Sequence, residues 1–334
     1  MGDQKTAAPT RERITVMIPA YQHQSYLGTC LDSVLEQVVD ADITILIGED
    51  RSTDGTLAIC AEYAAKDPRV HVFARDKNRP KVMIDGCMTG RANVLDLLMR
   101  CDGDYAIRID GDDRWCDTAM LQKQVDALRK NPSAMGCYHA TGRIDHDGRA
   151  TGKLFNEQLP ERMELEDTIT HLSPFHVSSF LYRDGGRFRK PPALAHQVGS
   201  LDLLLFALVA ATGPLLRVPG VMSCYRAHEG GLTRSRLFAR SNDKRLRIFL
   251  WTGLVRLQHG RGSEKAFRVC DDLLNAALHD EVTGRDALLW AKILFTRPRF
   301  FLWRAQRFGS VLRLLRKGMG TWARSKQERP APIL

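Results

Sequence analysis

Over the first 130 residues, short and largely apolar runs alternate with segments of helical period. No other feature of the chain restricts its fold as much. Residues 14–18, 43–47, 70–73 and 105–109 read as buried strands. Residues 25–37, 56–66 and 91–99 lie between them and carry apolar residues at helical spacing, with Pro68 punctuating the second helix. Strand and helix alternating at these lengths predict parallel pairing, in a sheet covered on both faces. Asp117 is expected to cap one more helix, which runs to Lys130 and stops at Asn131-Pro132. After Gly136 the pattern changes. Residues 137–144 and 149–155 read as a hairpin about the turn Asp145-His146-Asp147-Gly148. Residues 177–183 read as a strand and 201–211 as a helix ended by Gly213-Pro214, and from about residue 241 the chain reads as helices only. The expectation is an α/β protein with a mostly parallel central sheet flanked by helices and a helical C-terminal extension. Its units are a flexible N-terminus over 1–12, a sheet-bearing α/β domain over 13–235, and a basic helical region over 236–334.

The charge is unevenly placed. Residues 285–329 contain twelve Lys or Arg and two Asp or Glu, which accounts for the whole net charge of +10. A near-neutral body with a basic tail does not suit a nucleic-acid binder, which would carry its excess within the folded domain. The eight cysteines include no C-x-x-C pair, and several fall inside apolar patterns. This favours a reducing compartment over a disulfide framework or a zinc site. Residues 1–13 lack the apolar core of a signal peptide, and the most apolar stretch, 203–211, is far shorter than the about twenty residues a bilayer span needs. The expected location is cytoplasmic.

In parallel sheets of this kind ligands bind at the carboxyl ends of the strands. Those ends are Pro19-Ala20-Tyr21, Glu49-Asp50 and Asp110-Gly111-Asp112-Asp113. The last is the strongest signal. Carboxylates two residues apart on a turn can converge on one hard cation, and Mg²⁺ or Mn²⁺ is commonly held by one or two carboxylates together with phosphate oxygens. The same spacing in Asp102-Gly103-Asp104 and Asp145-His146-Asp147 reads as solvent turns. Glu49 and Asp50 can accept hydrogen bonds from a nucleobase, whereas Ser52, Thr53, Asp54 and Gly55 read as turn and helix cap. Asp202 opens a very apolar helix with no basic residue near it in sequence. Trp115 reads as core.

The run from Ile14 to Tyr21, the run from Glu49 to Thr56 and Asp110-Gly111-Asp112-Asp113 together resemble family 2 glycosyltransferases of the GT-A fold. The resemblance continues through Trp115 and residues 123–126, and returns at Asp202 and over 221–231. It covers about residues 12 to 235. It implies an inverting transferase that moves a sugar from a nucleotide-sugar donor, by family frequency a UDP-sugar, to a hydroxyl of a glycan or lipid-linked saccharide acceptor. It also implies Mn²⁺ or Mg²⁺ as cofactor. By position, Pro19, Ala20 and Tyr21 would line the nucleotide pocket, Asp50 with Glu49 would face the base, and Asp110 with Gly111 would meet the ribose side of the donor. Asp112 would bind the metal, His228 would approach the metal and diphosphate, and Asp202 would be the catalytic base. The chain departs from the family at three points: Glu49 where Asp is common, Arg51 where Gly is common, and Leu203 where an aromatic is common.

Two other classes are weaker. A sugar-nucleotide nucleotidyltransferase should carry a Gly-rich loop with Arg and Lys after the first strand, and this chain has Pro19-Ala20-Tyr21-Gln22-His23-Gln24. A non-catalytic nucleotide-sugar-binding protein would be suggested by loss of Asp112 or Asp202, and both are present. In the tail, Phe301, Phe308, Val311, Leu312 and Leu315 share one helical face, opposite Arg299, Arg313 and Lys317. Two readings stay open there: peripheral contact with an anionic inner leaflet, or docking on the catalytic domain.

Overall fold

The computed structural model describes residues 11–75, 82–84, 87–170, 173–192, 195 and 200–228, with positions 309, 312, 313 and 316. The expected basic helical region over 236–334 otherwise lies outside the described residues, as do residues 1–10.

The first strand, β1 (Arg13–Ala20), sits inside the sheet between β2 (Asp42–Glu49) and β6 (Tyr105–Arg108), parallel to both. β3 (Val70–Ala74) extends the parallel set beyond β2. Each return crosses a face of the sheet through a helix: α1 (Leu27–Leu35), α2 (Thr56–Lys66) or α3 (Arg91–Arg100). A small hairpin, β4 (Val82–Ile84) with β5 (Cys87–Thr89), precedes α3 and was not foreseen in the sequence.

Beyond β6 the sheet becomes mixed. Here β7 (Arg114–Trp115), α4 (Met120–Lys130), β8 (Gly136–Ile144), β9 (Ala150–Leu154), β10 (Arg162–Met163), α5 (Leu165–Thr170), β11 (Leu181–Arg183), α6 (Leu201–Ala210) and β12 (Leu215–Arg226) follow one another. The strand order is β10-β12-β8-β11-β6-β1-β2-β3, with β7 on β12 and β9 on β8. β11 runs antiparallel to both neighbours, and β12 runs parallel to β8 through a bulge at 217–223. Parallel pairing therefore holds as expected for β1, β2, β3 and β6, and the far half mixes both senses.

The expected strand over 177–183 is corrected. Val177–Ser179 form a 3-10 turn, and only Leu181–Arg183 pair as strand. His176 caps the turn through its ring, and Ser179 Oγ donates to His176 O at 2.7 Å. Such side-chain bonds offer the backbone an alternative to the ladder. Asp117 caps the turn before α4 through Ala119 N, so the helix itself begins at Met120.

Alternation along the buried strands divides the core in two. Val16, Ile18, Ile45 and Ile47 face α1, α2 and α4, packing on Leu31, Cys60 and Leu121. Met17 and Leu46 face the other way, toward Leu95, Phe180 and the apolar body of α6. Trp115 belongs to the core, as expected, with its indole N–H donating to Ser178 O at 2.9 Å.

Candidate active site

Main-chain bonds zip the carboxyl ends of β1, β2 and β6 together. Ala20 O accepts from Asp50 N at 2.9 Å, and Pro19 O accepts from Gly111 N at 3.2 Å. The loops after β1 and β2 are latched to each other. Gln22 Oε1 accepts from Thr53 N and Asp54 N, Gln24 Oε1 from Gly55 N, and Thr56 Oγ1 from His23 N. Ser52 to Gly55 thus serve as turn and latch, as their sequence suggested. Gln22 and Arg51, one in each loop, hold positive φ angles of 56° and 62°, a region that side chains other than glycine seldom occupy.

Glu49 departs from its expected role. Its carboxylate accepts from Arg51 N at 3.1 Å and Ser52 N at 2.6 Å, so it anchors its own loop instead of facing outward. The neighbouring Asp50, also buried, pairs with Arg75 at 3.0 Å. Tyr21 is half-buried at the sheet end.

The loop after β6 gathers carboxylates into a buried corner. Asp113 N bonds Asp110 O, turning the chain so that Asp110, Asp112 and Asp113 point three ways. Asp110 lies 3.2 Å from Arg108 Nε. Asp112 Oδ2 lies 2.9 Å from His228 Nε2 and 3.8 Å from His23 Nε2. Asp113 Oδ1 accepts from Arg226 N at 2.9 Å. Gly111 leaves room for His23, since a Cβ there would lie 2.7 Å from His23 Nδ1.

Electrostatics separate the three acids. Burial, partly offset by Arg108, raises Asp110 to about 6. Burial and the charges of Asp112 and Asp110 push Asp113 well above the usual range. Asp112 goes the other way. Burial works to raise it, but the hydrogen bond to His228 and the nearby His23 hold it below its ordinary value. Burial also lowers His23. Asp112 is therefore the one of the three acids held below its ordinary value.

The residues fit a divalent cation. Neighbouring ligands of an octahedral Mg²⁺ at about 2.1 Å lie about 3 Å apart, and Asp112 Oδ2 and His228 Nε2 are separated by 2.9 Å. His23 Nδ1 is buried without a hydrogen-bond partner among the described residues. Asp112, His228 and His23 are not mutually that close: among the described residues, three ligand atoms within 4.8 Å of one another occur in the trio of Asp145, His146 and Asp147, in the exposed turn between β8 and β9. Its acids already serve the turn. Asp145 Oδ1 accepts from Arg149 N, and Asp147 pairs with Arg149 at 2.6 Å.

Asp202 is in the first turn of α6, whose cap is Ser200 Oγ accepting from Leu203 N. The sequence offered it no basic neighbour, and the fold does. Arg108 Nη1 of β6 lies 2.7 Å from Asp202 Oδ1. Arg108 was overlooked, although an arginine in the run Tyr105-Ala106-Ile107-Arg108 directly before the acid cluster was a visible signal. Arg226 was overlooked too. Its guanidinium donates to Asp112 O, Asp145 O and His146 O and stacks over Tyr26 at 4.8 Å. His176, 3.7 Å from Asp113 Oδ2, is lowered to about 4 by burial.

Residues 15–185 match the sequence model of glycosyl transferase family 2. A protein of uncharacterised function from Mycobacterium tuberculosis is 28% identical over 223 residues, 66% of this chain and 61% of the relative. The chain thus spans about three fifths of that relative's length. The chondroitin synthase of Escherichia coli is 30% identical over 158 residues, 47% of this chain and 21% of the synthase. Staphylococcus aureus TarS 1-349 in complex with UDP superposes with a TM-score of 0.60 at 15% identity, over 95% of this chain and 92% of that one. A mannosyltransferase from Pyrobaculum calidifontis in complex with GDP-Man and Mn²⁺ superposes at 0.50 and 15% identity, over 93% and 88%. At those identities the likeness is one of fold, the GT-A type. The family model covers just over half of the chain, and within it lie the two strand ends, of β2 and β6, that carry the loop acids: the protein belongs to glycosyl transferase family 2.

Proposed function

We propose that the protein transfers a sugar, with inversion, from a nucleotide-sugar donor to a hydroxyl of a glycan or lipid-linked saccharide. The observation that carries this reading is the shared contact of Arg108, which lies 3.2 Å from Asp110 and 2.7 Å from Asp202. A donor-side carboxylate and a candidate base are thus one guanidinium apart, beside the Asp112–His228 pair.

In this reading Pro19, Ala20 and Tyr21 line the nucleotide pocket, and Asp50 faces the base, held by Arg75. Asp110 and Gly111 meet the ribose side. Asp112 and His228 would hold Mn²⁺ or Mg²⁺, which when bound neutralises charge on the diphosphate leaving group. Asp202 takes the proton of the acceptor hydroxyl as the new C–O bond forms and the bond to the diphosphate breaks. A positioned base contributes about 10² to 10⁴ to such a step. One base opposite the leaving group means a single displacement and inversion at the anomeric carbon. A UDP-sugar is the first donor to try, and the TarS and mannosyltransferase complexes make UDP and GDP the nucleotides to compare.

No helix among the described residues is long and apolar enough to cross a membrane. Peripheral contact through the basic tail, with the enzyme at the inner face of the membrane, remains part of the proposal on sequence grounds.

The test is a thermal-shift panel of UDP- and GDP-sugars with Mn²⁺ and with EDTA. One nucleotide-sugar should raise the melting temperature with Mn²⁺ and lose most of that effect in EDTA. Equal shifts in metal and chelator would overturn the metal assignment, and no shift from any member would overturn the donor class.

A further inference from the structure

Arg108 is the charged residue of β6, a strand otherwise made of Tyr105, Ala106 and Ile107, and all four are buried. A guanidinium in such a place needs anionic partners, because an uncompensated buried charge is strongly unfavourable. Its two carboxylate partners are Asp110 and Asp202, and they are held differently. Arg108 Nη1 forms an ion pair with Asp202 Oδ1 at 2.7 Å. Arg108 Nε lies 3.2 Å from Asp110 Oδ1 and makes no hydrogen bond among the described residues. The closer contact therefore goes to Asp202.

The two oxygens of Asp202 are unlike. Oδ1 is tied to Arg108, and Oδ2 has no partner among the described residues on a side chain that is 37% exposed. The rest of α6 is fixed, since Leu203 to Ala207, Val209 and Ala210 are buried against Phe175 and Phe180. Without Arg108, the carboxylate in the first turn of this helix would choose among rotamers facing solvent. With it, one oxygen is anchored and the other is left without a partner among the described residues.

We infer that Arg108 is a positioning residue for Asp202, holding the carboxylate in one orientation, with Oδ2 presented to the acceptor hydroxyl. The inference rests on the reading of Asp202 as the base. Placement matters because a displacement of about 1 Å in a reacting group can lower a rate about 10²-fold.

The experiment uses the full chain with Arg108→Met, Arg108→Lys, Asp202→Asn and the double variant Arg108→Met/Asp202→Asn. UDP affinity is read by calorimetry. Turnover is read as nucleotide release from the nucleotide-sugar giving the largest thermal shift, with water as acceptor where no saccharide serves. Arg108→Met should lose about 10² in kcat, with UDP affinity changing far less. Arg108→Lys should recover part of the loss, because a single ammonium can still reach Oδ1. The double variant should be no slower than Asp202→Asn, because residues that act as a unit are non-additive. A normal or faster rate in Arg108→Met would overturn the inference, as would losses that multiply in the double variant. Should Arg108→Met fail to fold, the Lys variant alone and combined with Asp202→Asn gives the same cycle. Asp202→Asn retaining its rate would remove the base itself, and the inference with it. A dead Asp202→Asn beside a fully active Arg108→Met would remove only the role of Arg108.

Discussion

In the parallel half of the sheet the site is held by main chain. Ala20 O binds Asp50 N, and Pro19 O binds Gly111 N, so three strand ends are fastened before any side chain acts. In the half beyond β6 the site is held by side chains reaching across the fold. Arg226 binds the backbone of Asp112, His146 and Asp145, His228 meets Asp112, and Asp202 leans on Arg108. The first half is the platform on which a nucleotide would lie. The second closes over it with residues more than ninety positions away in sequence. The difference suggests a division of labour: substitution of Asp202 should remove chemistry while leaving nucleotide binding, and substitutions of the acids at the strand ends should remove both.

The largest expected effect tests this division directly. Asp202→Asn is nearly isosteric and lies outside the strand-end platform, so it should fold and bind UDP normally. Its kcat should fall by about two to four orders of magnitude, the range for loss of a general base. Asp112→Asn should instead abolish the Mn²⁺-dependent gain in UDP affinity and mimic chelation. Calorimetric UDP titrations with initial rates on the same proteins decide it. If Asp202→Asn weakened UDP binding as much as Asp112→Asn does, the two halves would not be separable in function.

The same division explains what could be read from the sequence. Strand ends follow from hydrophobic period, so Pro19, Asp50, Asp110 and Asp112 were placed correctly at one edge by pattern alone. Side-chain partnerships across the fold leave no local trace. Asp202 has no basic residue near it in sequence, and the position of Arg108 before the acid cluster does not say which acid it meets. Glu49 is the instructive miss. Its position at a strand end was right, but the direction of its side chain depends on two backbone N–H groups that the turn presents, and a sequence pattern does not encode direction. The turn at Val177–Ser179 escaped notice for a similar reason: its apolar and β-branched content resembles strand, while His176 and Ser179 decide otherwise.

A smaller effect concerns acid. The fully buried His139 lies in β8, within the second half, with Nδ1 3.0 Å from Ala140 O and Nε2 3.1 Å from Met120 Sδ. Burial lowers its pKa from 6.5 to about 4. The unfolded chain takes up the proton near pH 6.5 and the folded chain only near pH 4. Stability is therefore lost as pH falls through that window, by about 2 kcal/mol between pH 7 and pH 5. The loss levels off once both states are protonated. In urea unfolding, His139→Gln should start less stable at pH 7 and then decline less steeply than the wild type to pH 5. Parallel declines would mean that the acid sensitivity of the second half arises elsewhere.

The smallest effect lies in the platform itself. Arg51 occupies φ 62°, at a position where glycine is common in the family. A left-handed conformation costs a residue with a Cβ roughly 1 to 2 kcal/mol. Glycine avoids that strain but gives up about 0.5 to 1 kcal/mol through the greater freedom of its unfolded chain. The bond from residue 51 N to Glu49 survives the change, because it is made by main chain. Arg51→Gly should therefore gain about 0.5 kcal/mol, a shift in urea midpoint without a change in slope. Strained residues persist where the side chain is useful, so the same protein should be titrated with UDP. A more stable variant with weakened UDP binding would make Arg51 part of the nucleotide platform, retained against its backbone preference. A more stable variant with unchanged binding would show that the main chain alone builds this half of the site. Loss of stability would mean that the side chain of Arg51 contributes more to the fold than its strained backbone takes away, and the contrast between a main-chain half and a side-chain half would then hold less sharply than the strand ends suggest.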